Sequence, residues 1–209
     1  MAQNVSGFRA IFSNASMYNL AQRLVGAEKA RRILVRNYFP ASNAYRMLDI
    51  GCGTAEILRH LPEGIDYFGF DASQTYIDQA KEQFGDRGTF RAELVRQASL
   101  SDLEGFDIVL AFGLLHHLDN DEAEALFKLG KQVLKKDGKL ITIDPVYSED
   151  QHMMARWIIS KDRGQSVRNA ESYTTLAQSQ FDDVTTTIRH DMLHIPYSHC
   201  ILECKNSDV

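Results

Sequence analysis

Little in this sequence could serve as a covalent staple, a membrane anchor or a clamp for a polyanion. Three cysteines in 209 residues are too few, and odd in number, for a disulfide framework, which points to a reducing compartment. No stretch approaches the ~18 apolar residues needed to cross a bilayer. The opening "MAQNVSGFRAIFSNAS" has neither a long apolar run nor a cleavage-site pattern, so no signal peptide is read there and a cytoplasmic protein is expected. Long basic runs are missing too. Arginines and lysines stand singly or in pairs such as Arg31-Arg32 and Lys135-Lys136, and the net charge is -5. Neither a nucleic-acid partner nor a membrane partner is expected from that balance. Repeats and low-complexity segments are lacking. With 44% hydrophobic residues the chain can build an ordinary core, and its length suits one domain with a small appendage.

What is present is an alternation of strands and helices between about Tyr45 and Val146. "YRMLDI", "DYFGFD", "TFRAELV", "FDIVLAFG" and "GKLITIDP" read as strands. "AEILRHL", "SQTYIDQAKEQF" and "NDEAEALFKLGKQVLKK" read as helices between them, the last with Asn120 as N-cap, acids in its first turn and lysines in its last. Such alternation predicts an α/β protein, a doubly wound, Rossmann-like sheet of parallel strands joined by helical crossovers. The flanks differ. Residues before Tyr45 read as helical up to Pro40. After Val146 come two helical stretches, "DQHMMARWIIS" and "SYTTLAQSQF", around a polar loop. The closing strands, in "DVTTTIRHDML" and "YSHCILEC", leave no room for a helix between them and must pair antiparallel. A seven-stranded sheet, mostly parallel with one antiparallel strand near its edge, is expected.

The stretch "MLDIGCGTAEIL" is a strand, a glycine turn and a helix start. Gly51 and Gly53 permit a sharp bend and close approach of a ligand to the backbone. The helix starting near Thr54 would point free N–H groups at a carboxylate or phosphate. Asp71, closing the next strand, stands where an acid grips a ribose diol in nucleotide-binding sheets. Capping of the following helix is the alternative role for that acid, although Ser73 could cap as well. Glu56 occupies the place of the third glycine of a dinucleotide turn, and no Gly-Lys-Ser/Thr follows as in a P-loop.

Four motifs in one register, "LDIGCGT" at 48–54, "GFDAS" at 69–73, "FDIVLAFGLLHHL" at 106–118 and "LKKDGKLITIDP" at 134–145, resemble those of class I S-adenosylmethionine-dependent methyltransferases. That resemblance implies S-adenosylmethionine as cofactor and methyl transfer as activity. It implies that Asp49, Gly51, Cys52 and Gly53 surround the methionine end of the cofactor. Asp71 would take the ribose hydroxyls, Ala72 would lie beside the adenine, and Gly113 would line the pocket near the sulfonium. Members of the family often carry an Asp-Ala pair before the fourth strand to contact the adenine amino group. Gln97-Ala98 aligns best here, with Ser99 and Asp102 as alternatives.

No Asn/Asp-Pro-Pro-Tyr follows the fourth strand, which argues against methylation of nucleic-acid bases. A small-molecule acceptor, at oxygen before carbon or nitrogen, is expected. His116 and His117 are the candidates for a general base, with hydrogen bonding that merely holds the loop as the alternative for either. The resemblance divides the chain into an N-terminal helical lid segment, 1–44, and a cofactor-binding domain, 45–209, in which 147–180 is a substrate-covering insertion. Within that insertion Trp157, Arg163, Arg168 and Tyr173 are the candidate acceptor contacts. The arginines would grip an anionic group, or else pair internally with Asp162 or Glu171. "DRG…VR…Y" and "IPYSHCILEC" also resemble, loosely, bacterial methyltransferases of cell-surface glycan or secondary-metabolite clusters. No metal site is read, because Cys200 and Cys204 share a strand face at a spacing that suits core packing. A nicotinamide-dependent oxidoreductase and a non-catalytic cofactor-binding module are the competing functions.

Overall fold

The computed structural model describes residues 26–95, 103, 105–161 and 166–206. Seven strands form one sheet in the order β3-β2-β1-β4-β5-β7-β6. They are β1 (Arg46–Ile50), β2 (Asp66–Asp71), β3 (Thr89–Ala92), β4 (Phe106–Phe112), β5 (Leu134–Pro145), β6 (Asp183–Arg189) and β7 (His199–Lys205). β1 to β5 pair in parallel, and β7 is antiparallel to both β5 and β6. The sheet is thus the one expected from the pattern, with its antiparallel strand one place in from the edge.

Strand residues alternate between two buried layers, as the period of two demands. Leu48, Val109, Leu140 and Leu202 face one layer, while Met47, Ile108, Ile141 and Ile201 face the other. Helices α1 (Ala27–Tyr38) and α2 (Gln74–Phe84) close the second layer, and α3 (Asn120–Val133) and α5 (Ala170–Gln178) close the first. The short helix α4 (Met153–Ile159) lies after the tip of β5. Cys200 and Cys204 are buried in the first layer, and all three cysteines are free.

Two local departures from the expected elements have plain causes. Helix α3 is capped by Asp119 and not by Asn120. The Asp119 carboxylate accepts from the Glu122 amide (2.9 Å) while the Glu122 side chain accepts from the Asp119 amide (3.0 Å), a reciprocal capping box. The same helix stops at Val133, because Leu134 already pairs with Phe106 of β4 and Lys135 reaches Asp107 at 2.8 Å. The expected helix after the glycine turn is only a five-residue 3-10 turn, Glu56–His60, entered through Ala55 in the left-handed region at φ 56°.

Candidate active site

The winding of the sheet reverses between β1 and β4, and ligands of such sheets sit beyond the carboxyl ends of the strands at that point. A cavity of about 700 Å³ lies there. One end is built by the glycine turn and the tip of β2, the other by the tips of β4 and β5, α4 and residues 193–199.

The glycine turn does not offer the amides that its sequence suggests. The N–H groups of Gly51 and Cys52 both donate to the carbonyl of Phe70, at 2.7 and 3.0 Å, and that of Gly53 donates to Asp71 Oδ2 at 2.9 Å. Three amides that would cradle a phosphate are therefore satisfied inside the protein. Gly51 and Gly53 have φ of 76° and 56°, angles that glycine adopts without strain. The turn thus presents carboxylates, which suit a ligand bearing hydrogen-bond donors.

Asp71 ties the two strand tips together. Its Oδ2 holds the Gly53 amide, its Oδ1 accepts from the Ser73 amide at 2.8 Å, and Ser73 in turn caps α2. Each carboxylate oxygen has two lone pairs, so Asp71 retains acceptor capacity toward the cavity it lines. Asp49 is buried, with Oδ2 accepting from the Tyr67 hydroxyl at 2.7 Å. Its Oδ1 has no hydrogen-bond partner although buried, and Asp49 also lines the cavity. Burial pushes its carboxyl up to about 7, against the hydrogen bond from Tyr67. The Cys52 thiol is pushed far above its ordinary range by burial, which leaves it no nucleophilic role.

Gly113, at φ 67°, turns the chain from β4 into the histidine pair, and its amide donates to Ile143 at 2.7 Å. His116 is 6% exposed. Its Nδ1 lies 2.8 Å from Asp144 Oδ1, and its own amide donates to the same oxygen at 3.1 Å. Asp144 is 1% exposed at the end of β5, and burial raises its carboxyl while the contacts with His116 pull it back down. A carboxylate in that position fixes the imidazole with Nδ1–H toward Asp144 and Nε2 on the opposite edge. The His117 ring packs on that of His116 with centroids 4.0 Å apart. Both histidines line the cavity.

The expected cofactor residues Asp49, Gly51, Cys52, Gly53, Asp71 and Gly113 come together on this cavity. Ala72 is exposed and is not among the lining residues. Gln97, Ala98 and Arg163 lie outside the described residues. The structure does not bring the other acceptor candidates to the site. Trp157 is 63% exposed on the outer side of α4, whose Ile158 lines the cavity instead. Tyr173 is 1% exposed, packed in the core with its hydroxyl donating to the Pro145 carbonyl at 3.1 Å. Among the described residues Arg168 pairs with no acid. Its guanidinium donates to the carbonyls of Leu115 (2.9 Å), Leu118 (2.9 Å) and Ser166 (3.1 Å) and to Asn120 Oδ1 (2.8 Å). It is the clamp that holds the histidine turn in place.

Replacement of Arg168 by Ala should destabilise the protein by about 1–3 kcal/mol, as removal of charged hydrogen bonds does. Hydrogen exchange of the amides at 115–119 should quicken while β1 and β4 stay protected. Unchanged exchange there would reject the clamp.

Sequence reasoning missed Asp144, Tyr67, Arg31, Tyr197 and His199, all close to this cavity. A signal existed for two of them: Asp144 is a lone acid in the apolar run "LITIDP", and Tyr67 stands in β2 in register with Met47, two places from Asp49. Arg31 arrives on α1. That helix is docked by Lys29 Nζ on the Leu193 carbonyl (3.3 Å) and by Gly26, where an added Cβ would lie 2.6 Å from the His194 ring. Tyr197 and His199 arrive with β7, whose His199 lies in register with Pro145. Pairings between segments so far apart in sequence leave no local trace.

A family model described as a methyltransferase domain matches residues 48–140. A search of curated proteins finds none that matches the chain. Among solved structures, the pyocyanin biosynthetic protein PhzM gives a TM-score of 0.73 at 13% identity, covering 96% of this chain and 62% of that one. Human N-acetylserotonin methyltransferase, in complex with SAM, gives 0.69 at 18% identity, covering 96% and 59%. A TehB-like SAM-dependent methyltransferase from Corynebacterium glutamicum gives 0.63 at 17% identity, covering 93% and 99%. The chain thus spans about three-fifths of the first two proteins and nearly all of the third. At these identities the likeness establishes a shared fold.

Proposed function

We propose that this chain, whose residues 48–140 match a methyltransferase-domain model, uses S-adenosylmethionine to methylate a small-molecule acceptor at a hydroxyl oxygen. The observation that carries the acceptor atom is the His116–Asp144 pair, a base held ready at the end of β4. A hydroxyl must lose its proton as it is methylated, and a thioether sulfur, which has none to lose, would leave a buried His–Asp pair without that task.

The residues present fit the cofactor. The carboxylates of Asp49 and Asp71 face a cavity end where the Gly51, Cys52 and Gly53 amides are already satisfied. An ammonium and a ribose diol are donors that match them. Asp49 Oδ1, buried and without a partner, suits the ammonium. Arg31 lines the same end, and its charge favours the ionised form of Asp49. It suits the carboxylate of the same amino-acid group. When bound, S-adenosylmethionine supplies a methyl group already activated on a sulfonium. His116 Nε2 would take the hydroxyl proton as the acceptor oxygen is methylated, the sulfonium becoming a neutral thioether as it gives up its methyl group. Asp144 stabilises the imidazolium, and Gly113 keeps the approach to the reacting carbon clear of a side chain. Proximity and orientation alone can supply roughly 7–11 kcal/mol of the barrier. In this reading residues 45–209, with Arg31 of α1 in the segment 1–44, hold the cofactor, while the segment 147–180 covers the acceptor, α4 being its contribution to the lining.

Calorimetric titration of S-adenosylhomocysteine and NAD in parallel tests the class. S-adenosylhomocysteine should bind and NAD should not, because the Gly51, Cys52 and Gly53 amides that a pyrophosphate would use are already engaged. Its affinity should also rise with pH through about 7, where Asp49 loses its proton and gains attraction for an ammonium. Binding of NAD alone would replace the proposal with an oxidoreductase.

A further inference from the structure

The cavity is divided electrically. Its lining carboxylates, Asp49, Glu56 and Asp71, all lie on β1, β2 and the turn between them. Glu56 is moreover paired with Arg59 at 2.6 Å. The opposite end, beyond β4 and β5, has no carboxylate among its described lining residues. Asp144 is close in sequence to that end but 1% exposed and turned to His116. The imidazoles of His116, His117 and His199 and the ammonium of Lys161 line it instead.

The walls of this end are apolar and ring-bearing. Ile143, Pro145, Ile158 and Ile195 line it. Tyr197 and His199 stand side by side with ring centroids 4.9 Å apart and planes tilted by 46°. Lys161, just past α4, is exposed at the rim.

Resting on the methyl transfer proposed above, we infer that the acceptor is a hydroxylated aromatic carboxylate. Its hydroxyl goes to His116, its ring lies against Tyr197 and His199, and its carboxylate points to Lys161. Each part follows from the lining. A cationic acceptor would surrender its hydration with no carboxylate to receive it, an uncompensated cost. A flat apolar body gains from ring edges and faces at about 5 Å. A phosphate prefers several N–H donors in a fork, whereas the described residues of this end supply a single ammonium, enough for a carboxylate at a rim. The ammonium of Lys161 also favours a negative ligand over a neutral one.

The test uses protein saturated with S-adenosylhomocysteine, titrated with 3-hydroxybenzoate, 3-hydroxybenzamide, 3-hydroxybenzylamine and 3-hydroxyphenyl phosphate. The benzoate should bind about fivefold more tightly than the amide, the range of a partly exposed ion pair, and the amine should bind most weakly. Lys161→Gln should bring the benzoate to the level of the amide without changing the affinity for S-adenosylhomocysteine. Equal binding of benzoate and amide, a preference for the amine or for the phosphate, or no binding by any of the four would each overturn the inference while the methyl-transfer proposal stands. If S-adenosylhomocysteine itself does not bind, the methyl-transfer proposal fails first, and this inference falls with it.

Discussion

Replacing His116 with Gln should lower turnover by about 100- to 10,000-fold, the range in which a positioned general base acts. Affinity for S-adenosylhomocysteine should hardly change, since the imidazole belongs to the acceptor end of the cavity. Glutamine keeps a hydrogen-bond donor for Asp144 and so spares the turn, which makes loss of turnover attributable to the base. Asp144→Asn separates the partner from the base. Asp144 is a positioning residue, acting only through His116, to which it is bound at 2.8 Å. An amide there cannot favour the imidazolium, so the acidic limb of the turnover profile should move to lower pH as the plateau falls. A purely structural Asp144 would lower stability and leave the profile where it was. If His116→Gln retains full turnover on an acceptor found by screening, methylation proceeds without this base and the assignment to oxygen loses its support.

How much of this was legible beforehand varies by element, for physical reasons. The sheet was legible because period-2 and period-3.6 patterns are local, and because two strands too close for a crossover had to pair antiparallel. The cofactor end was legible too, since strand, turn and Asp71 sit within about 25 residues of chain. Its chemistry was not. Gly51, Cys52 and Gly53 look like an anion cradle in sequence, and only the folded pairing of their amides with Phe70 and Asp71 reverses that. The acceptor end was misread more often. Arg168 and Tyr173 carry the residue types of a substrate clamp, but α5 buries Tyr173 and the histidine turn takes up the arginine. Trp157 points outward because Ala155 and Ile159 form the buried face of α4. The residues that do line that end, Tyr197 and His199, are brought by β7 from about 80 residues beyond the histidine pair, a distance that no local pattern spans.

Asp71→Ala should weaken S-adenosylhomocysteine binding by about 30- to 1000-fold, equivalent to roughly 2–4 kcal/mol for two lost charged hydrogen bonds. The carboxylate has two jobs. It holds the amides of Gly53 at 2.9 Å and Ser73 at 2.8 Å, so its removal also loosens the turn. A ligand modification separates the two. An S-adenosylhomocysteine analogue lacking the 2′-hydroxyl should bind the native protein more weakly than the parent compound. If Asp71 grips the ribose diol, the same analogue should lose little further affinity in Asp71→Ala, because the hydrogen bond it lacks is already gone. The two changes would then be non-additive by about 1 kcal/mol or more, as expected of groups in contact. If instead Asp71 only orders the turn, the losses should add. Additive losses, together with faster exchange of the Gly53 amide, would assign Asp71 to the backbone alone and leave the ribose to another group in the cavity.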